Sequence, residues 1–154
     1  MTDAYADYLF DESRVVGHAE YIAFPQTEEE LVSVVRYCDT HNLPLTAQGG
    51  LTGLTGGASP DGGLILNLSK MNRILGLRKG ADGWYYLRVG AGILLTQVRK
   101  ALSEKSFDIT GWDAASVEAL RDLKPGELFF SPDPTETTAS LGGMAACNAS
   151  GARS

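Results

Sequence analysis

Glycine is concentrated between residues 49 and 63, where seven of the eighteen glycines of the chain lie: 49, 50, 53, 56, 57, 62 and 63. Glycine permits a positive φ and lets the backbone come close to a ligand. Consecutive unpaired N–H groups in such a turn bind an anion without any lysine, and the hydroxyls of Thr52 and Thr55 would add donors. The segment therefore favours a diphosphate ligand, with a purely structural Ω-loop as the alternative.

Two better-known phosphate-binding loops do not match this segment. It lacks the GxxxxGK[ST] pattern of a P-loop, and the run Gly49-Gly50-Leu51-Thr52-Gly53 departs from the GxGxxG pattern of a Rossmann dinucleotide site. We therefore predict neither of those sites.

A second segment, residues 132–144, places two prolines ahead of serine, threonine and a pair of glycines. This order predicts a rigid turn that leads into the N-terminus of a helix, where Ser or Thr caps the first turn. Exposed N–H groups and the helix dipole would form a second anion site there, although plain capping is the simpler explanation. Asn148, Ser150 and Gly151 follow in a polar turn that could hydrogen-bond a flavin or satisfy the local backbone.

The elements before the glycine-rich segment predict a βαβ-like opening. Residues 19–24 form a β-prone run that ends at Pro25, and Thr27 with Glu30 has the spacing of a capping box that begins a helix. An apolar helical face follows, at Leu31, Val34, Val35 and Cys38. The helix should end near residues 41 and 42, and residues 43–47, which include a proline, suit a strand near the edge of a sheet.

The elements after the glycine-rich segment complete an α+β fold with small mixed sheets and flanking helices. Residues 64–68 and 85–90 predict strands. Residues 93–102 predict a helix with Leu94, Leu95, Val98 and Leu102 facing inward, and residues 114–123 predict a shorter helix packed on the surface. With 154 residues and 44% hydrophobic content, the chain is long enough for one ordinary domain.

Charge and apolar pattern exclude several classes of partner. A net charge of −6 disfavours nucleic acid. No apolar run approaches the roughly 20 residues that span a bilayer, and residues 1–10 lack the parts of a secretory signal, so we predict a cytoplasmic protein without a transmembrane segment.

Cys38 and Cys147 match no metal-binding pattern and are predicted to be free and buried. His18 and His41 are predicted to have no catalytic role.

Taken in order, these segments resemble the FAD-binding domain of the vanillyl-alcohol oxidase and p-cresol methylhydroxylase family, most closely its branch with the glycolate oxidase FAD subunit and D-lactate dehydrogenases. The resemblance lies in PQTEEELV from Pro25, LPLTAQGGLTGLTGGA from Leu43, PDP from Pro132, LGG from Leu141 and NASG from Asn148. In this family the first loop holds the FAD pyrophosphate, and the second segment lies along the pyrophosphate and the flavin. The resemblance implies the same contacts for Gly49, Gly50, Thr52, Gly53, Thr55, Gly56, Gly57, Pro132, Asp133, Thr138, Gly142, Gly143, Asn148 and Gly151.

The chain departs from the family's pattern at several positions. Gln48 stands where an arginine is frequent, and Leu51 stands where a further glycine is frequent. Some relatives attach FAD covalently through a histidine at the position of Thr52, which cannot form that bond, so the expected FAD is non-covalent. Residues 103–127 form an insertion relative to the usual spacing.

The resemblance implies that residues 1–154 are the N-terminal portion of one two-subdomain FAD-binding domain, without the remainder of that domain or the substrate or cap domain. The parent enzyme would pass a hydride from a 2-hydroxy acid such as D-lactate or glycolate to the flavin, and electrons to a quinone, an iron–sulfur partner or oxygen. No catalytic residue is expected in this chain, which is expected to be inactive alone. Two alternatives stay open: a truncated, non-catalytic module that folds or dimerises without turnover, and a domain that binds another nucleotide.

Overall fold

A computed structural model describes residues 3–132, 136–149 and 151 of the chain. The chain divides into two compact units, Met1–Met71 and Asn72–Ser154. The predicted α+β class is confirmed, because helices accompany two small sheets. The two sheets differ in strand direction: the strands of one are parallel, and those of the other are antiparallel.

The first unit contains strands β1 (Tyr21–Ala23), β2 (Leu45–Gln48) and β3 (Leu64–Asn67), with 3-10 helices at Asp3–Tyr8 and Leu68–Lys70. The strands form a three-stranded parallel sheet in the order β1–β3–β2. All of β3 is buried, as expected of a central parallel strand. β2 lies at an edge of the sheet, as predicted from Pro44, which directly precedes it.

Helix α1 (Glu28–Thr40) connects β1 to β2 and confirms the predicted βαβ-like opening. Its N-terminus forms as the capping spacing indicates: the Thr27 hydroxyl accepts from the Glu30 N–H at 3.2 Å. The Glu30 carboxylate reaches back one residue further than the standard capping box and accepts from the Gln26 N–H at 2.7 Å. The helix ends at a C-cap formed by His41, close to the predicted boundary.

Removing the Thr27 hydroxyl tests this cap. Thr27→Ala is expected to lower the free energy of unfolding by about 1 kcal/mol, because the Glu30 N–H loses its acceptor. Denaturant unfolding followed by circular dichroism measures the change. Ser33→Ala is the matched control: its hydroxyl bonds only to the Glu29 carbonyl inside the same helix, so an equal loss in both variants would contradict the capping role.

The core of the first unit lies between α1 and the sheet. Cys38, Leu64 and Leu66 are buried together, and they are surrounded by partly buried apolar side chains: Ala23, Leu31, Val34, Leu43, Leu45 and Leu68. Val35, which the periodicity places on the same helical face, is instead 41% exposed. The buried apolar face of α1 is therefore narrower than predicted, because it does not include Val35.

The second unit contains strands β4 (Ile74–Lys79) and β5 (Tyr85–Val89), followed by helices α2 (Leu95–Glu104), α3 (Ala114–Arg121) and α4 (Leu141–Ala146). The two strands pair antiparallel. In α2, Leu95, Val98 and Leu102 are buried as predicted, whereas Leu94 precedes the helix as its N-cap. Ile93, Val98 and Leu102 form the centre of one apolar cluster of this unit.

Helix α3 packs on β4 through a small-residue contact. A Cβ on Gly76 would lie 2.8 Å from the Ser116 hydroxyl, so the absence of a side chain at residue 76 lets the helix approach the strand. The Asp113 carboxylate accepts from the Ser116 N–H at 2.7 Å and caps the helix. The predicted helix at 114–123 is confirmed and is two residues shorter at its C-terminal end.

One prediction about the cysteines is wrong. Cys38 is buried, but Cys147 is exposed. Cys147 is the C-cap of α4, where its N–H bonds to the Gly143 carbonyl and its side chain faces solvent.

None of the helices in the described residues has the length and apolar character needed to cross a membrane.

Candidate functional site

The glycine-rich segment carries a continuous run of unpaired backbone donors. No N–H group from Gly50 to Gly57 donates a hydrogen bond to any residue that the structure describes. The Thr52 and Thr55 hydroxyls likewise have no partner among the described residues. The sequence has no lysine or arginine between Arg36 and Lys70, so neutral donors would have to stabilise any anion bound here. Such a run of free N–H groups is suited to diphosphate oxygens.

The glycines of this segment fall into two groups. Gly56, Gly62 and Gly63 have φ values of 76°, 86° and 70°, a conformation that glycine adopts without steric cost. Gly53 and Gly57 lie outside that region; a Cβ on Gly57 would meet no atom within 4 Å, and one on Gly53 would meet only the Asp11 carboxylate at 3.6 Å. Packing among the described residues does not require glycine at 53 or 57, and a glycine there leaves the backbone open to close approach by a ligand.

Two of the departures from the family's pattern, at Gln48 and Leu51, have structural consequences. Leu51 has a φ of 59°, the left-handed conformation that costs a leucine roughly 1 kcal/mol and explains why glycine suits this position. Gln48 is only 1% exposed. Its amide nitrogen donates to the Tyr8 and Ala58 carbonyls at 2.7 and 2.8 Å, so it supports the segment from inside and does not reach a ligand as a charged side chain would.

Asp11 is the buried carboxylate next to this segment, with 3% exposure. Burial raises the pKa of its carboxyl, but hydrogen bonds from Ser13 and Ala58 outweigh that effect and hold the pKa below the ordinary value. Asp11 is therefore ionised at neutral pH. Its stabilising contribution is present above the unfolded-state pKa and is lost only as the pH falls through the lowered folded-state value. Sequence reasoning missed Asp11, because nothing in its local pattern marks it.

The second segment places its donors differently from the prediction. Three consecutive N–H groups at the start of α4 are bound within the chain: Leu141 to the Ile93 carbonyl at 2.9 Å, Gly142 to the Ala91 carbonyl at 2.8 Å, and Gly143 to the Ser140 hydroxyl at 3.2 Å. Of the two alternatives for this helix N-terminus, these bonds favour plain capping by Ser140 over a second anion site. Gly142 is required by packing, since a Cβ there would lie 2.7 Å from the Ala91 carbonyl oxygen.

The other residues predicted to contact FAD in this segment form local hydrogen bonds or lie in a turn. The Thr138 N–H and hydroxyl both bond to the Glu136 carboxylate, at 2.8 and 2.5 Å. The Pro132 carbonyl accepts from Arg99 at 3.0 Å. Asn148 and Gly151 follow α4 with φ values of 50° and 73°, as expected of a turn. Asp133 lies outside the described residues.

The two histidines have different local contacts. His41 caps α1 and its Nδ1 lies 2.8 Å from the Tyr37 carbonyl. The His18 Nδ1 lies 3.8 Å from the Asp61 carboxylate, and both side chains are largely exposed. Among the described residues there is no cluster of three or more His, Cys, Asp or Glu side chains that could hold a metal ion. The chemistry that this part of the chain supports is binding of an anionic group by backbone donors.

Comparison with known proteins identifies the family. The family model described as an FAD binding domain matches residues 19–119. A D-lactate dehydrogenase from Anaerostipes hadrus is 32% identical over 150 residues, which is 96% of this chain and 26% of that protein. The mitochondrial D-2-hydroxyglutarate dehydrogenase of Bos taurus is 32% identical over 127 residues, 74% of this chain and 23% of that protein. The chain thus spans about a quarter of the length of these relatives.

Solved structures show the same fold. A cholesterol oxidase from Brevibacterium sterolicum superposes with a TM-score of 0.65 at 18% identity, covering 93% of this chain and 24% of that one. A chitooligosaccharide oxidase superposes with a TM-score of 0.63 at 19% identity, covering 94% and 26%. The resemblance drawn from the sequence is confirmed: the chain belongs to the family of FAD-binding domains, and FAD is its cofactor.

Proposed function

We propose that the protein carrying this chain is an FAD-dependent dehydrogenase of a D-2-hydroxy acid. The observation that carries the proposal is the run of unpaired N–H groups from Gly50 to Gly57 in a chain of the FAD-binding family. Relatives named D-lactate dehydrogenase and D-2-hydroxyglutarate dehydrogenase support a hydroxy acid as the substrate class. D-Lactate, D-2-hydroxyglutarate and glycolate are the substrates to test first.

In this proposal the glycine-rich segment holds the FAD pyrophosphate without a covalent bond. Its residues are Gly49, Gly50, Thr52, Gly53, Thr55, Gly56 and Gly57. The backbone N–H groups donate to the phosphate oxygens, the two threonine hydroxyls add donors, and the missing side chains at Gly53 and Gly57 leave room for close approach. FAD, when bound, supplies the acceptor for the substrate hydride; this chain supplies binding and orientation.

The second segment is proposed to contact FAD as well, through Pro132, Asp133, Thr138, Gly142, Gly143, Asn148 and Gly151. Since the N–H groups of Gly142 and Gly143 are already bound within the chain, their proposed contact with FAD does not use these donors. Residues 1–154 are proposed to be the N-terminal portion of one FAD-binding domain. A cytoplasmic location and a quinone or iron–sulfur electron acceptor are part of the same proposal.

The test is the visible spectrum of the full-length protein, followed by turnover with a dye acceptor. The expected results are flavin absorbance that is released by denaturation, as non-covalent FAD requires, and reduction of the dye by D-2-hydroxy acids but not by their L-enantiomers. Flavin without turnover of any hydroxy acid would reject the substrate class and favour a non-catalytic module. Absence of flavin from the protein, even after incubation with FAD, would reject the proposal at its base.

A further inference from the structure

An N-terminal strap, residues 8–18, lies along the glycine-rich segment and is hydrogen-bonded to it at several points. The Glu12 N–H donates to the Leu51 carbonyl at 3.1 Å. The Ser59 hydroxyl donates to the Val15 carbonyl at 2.7 Å, and the His18 N–H donates to the Pro60 carbonyl at 3.0 Å. These bonds join parts of the chain that are about forty residues apart in sequence, so the segment's shape depends on the strap.

Ala58 is attached through both of its backbone polar groups. Its N–H donates to the Asp11 carboxylate at 3.2 Å, and its carbonyl accepts from the Gln48 amide at 2.8 Å. Gln48 also binds the Tyr8 carbonyl at 2.7 Å, which ties the start of the strap to the same point. Ala58 directly follows the run of unpaired N–H groups and is the fixed end of that run.

Asp11 is an unusual residue to bury without a cation. It forms no ion pair with any described residue, and its charge is satisfied by the backbone N–H groups of Ser13 and Ala58. A buried charge is costly unless hydrogen bonds satisfy it. A hydrogen bond that a carboxylate accepts from a backbone N–H group is stronger than one between two neutral groups. The carboxylate also lies under Gly53, 3.6 Å from where a Cβ would be. Fixing this backbone is therefore its structural role.

We propose that Asp11 and Gln48 are positioning residues for FAD: by holding Ala58 from both sides, they keep the N–H groups of the glycine-rich segment directed at the pyrophosphate. This inference rests on the proposed FAD site. Neither side chain touches the cofactor. Their effect passes through the backbone of residues 50–58, so it concerns the pyrophosphate and not the flavin ring.

Asp11→Asn tests the inference in the full-length protein after removal of FAD. The carboxamide has one acceptor oxygen for two N–H donors, so the Ala58 attachment is weakened. FAD affinity, measured by flavin fluorescence titration, is expected to fall about 10- to 100-fold, while affinity for riboflavin, which lacks the pyrophosphate, changes less than about threefold. Glu12→Gln is the matched control, since it removes the same charge from an exposed neighbour and should leave FAD affinity unchanged.

A second variant tests whether the two residues act at one point. Gln48→Met keeps the volume and removes the donors, and it is expected to weaken FAD binding selectively as well. Because both side chains hold Ala58, the double variant should lose less affinity than the product of the two single losses. Fully multiplicative losses would mean that the two residues act separately and would overturn the shared role.

Other outcomes separate this inference from the proposed function. Equal losses of FAD and riboflavin affinity in Asp11→Asn would show a general structural defect and overturn the positioning role. FAD affinity equal to that of the unchanged protein would also overturn it, since the carboxylate would then have no effect on binding. Tighter binding would overturn it as well, since the carboxylate would then act as a repelling charge. If Gly53→Leu binds FAD normally, the pyrophosphate site itself is wrong; if Gly53→Leu loses FAD and Asp11→Asn does not, only the positioning role fails.

Discussion

Replacing Gly53 with leucine is expected to remove FAD binding while leaving the fold intact. A Cβ at this position meets only the Asp11 carboxylate, at the ordinary contact distance of 3.6 Å, and the residue is outside the left-handed region. The chain itself therefore accepts a side chain here. A pyrophosphate lying against the free N–H groups on either side would not, and the collision is expected to weaken FAD binding by about 100-fold or more.

Two measurements on the full-length protein check this prediction together. Flavin content and FAD titration report binding, and the unfolding temperature of the FAD-free protein reports the fold, which is expected to shift by less than about 3 °C. Ala81→Leu is the control, because it places the same side chain at an exposed position in the turn between β4 and β5. Normal flavin content in Gly53→Leu would contradict the assignment of this segment to the pyrophosphate.

A graded pair of substitutions makes the same prediction quantitative. A Cβ added at Gly57 would have no neighbouring atom within 4 Å, so Gly57→Ala and Gly57→Leu should fold alike and differ only in how far they reach toward the ligand. We expect the alanine variant to retain part of the FAD affinity and the leucine variant to lose most of it. Equal affinities in the two would indicate that no ligand approaches Gly57.

Local signals predicted the elements that local interactions form. The capping spacing of Thr27 and Glu30 marked the start of α1, since that cap involves residues three positions apart. The proline beside β2 marked an edge strand. By contrast, β4 went unpredicted because a register shift between Ile74 and Gly76 interrupts the alternation of apolar residues, and a bulge leaves no regular period to detect.

In the candidate site, too, local sequence predicted some features, and contacts between distant residues determine the others. Glycine density and family resemblance located residues 49–57, and the free N–H groups agree with the predicted ligand chemistry. For the N-terminus of α4 the sequence left a second anion site open beside plain capping. In the structure the carbonyls of Ala91 and Ile93, about fifty residues earlier in the chain, accept from two of its N–H groups. Asp11, by contrast, was not identified from the sequence, since its partner Ala58 is 47 residues away. Pairings over such distances are decided by tertiary packing, which local sequence patterns do not encode.

The largest effect on stability is expected at Gly63, a glycine that serves the fold and not the ligand. A Cβ there would lie 2.0 Å from the Pro44 carbonyl oxygen, and φ is +70°. The same Pro44 carbonyl accepts from the Leu64 N–H at 2.8 Å, and the Gly63 carbonyl accepts from Glu20 and Tyr21. Gly63→Ala would therefore push β3 away from β2 and is expected to lower the free energy of unfolding by about 3–5 kcal/mol.

Gly62→Ala separates the two causes of this loss. Gly62 has a similar φ of +86°, but its nearest neighbour to an added Cβ is the His18 ring at 3.7 Å. It should therefore cost only the conformational term, roughly 1 kcal/mol. Denaturant unfolding of both variants measures the difference, which is the cost of the collision with Pro44. If both variants lost the same free energy, the close approach of β3 to Pro44 would contribute nothing, and the positive φ alone would explain why glycine occurs here.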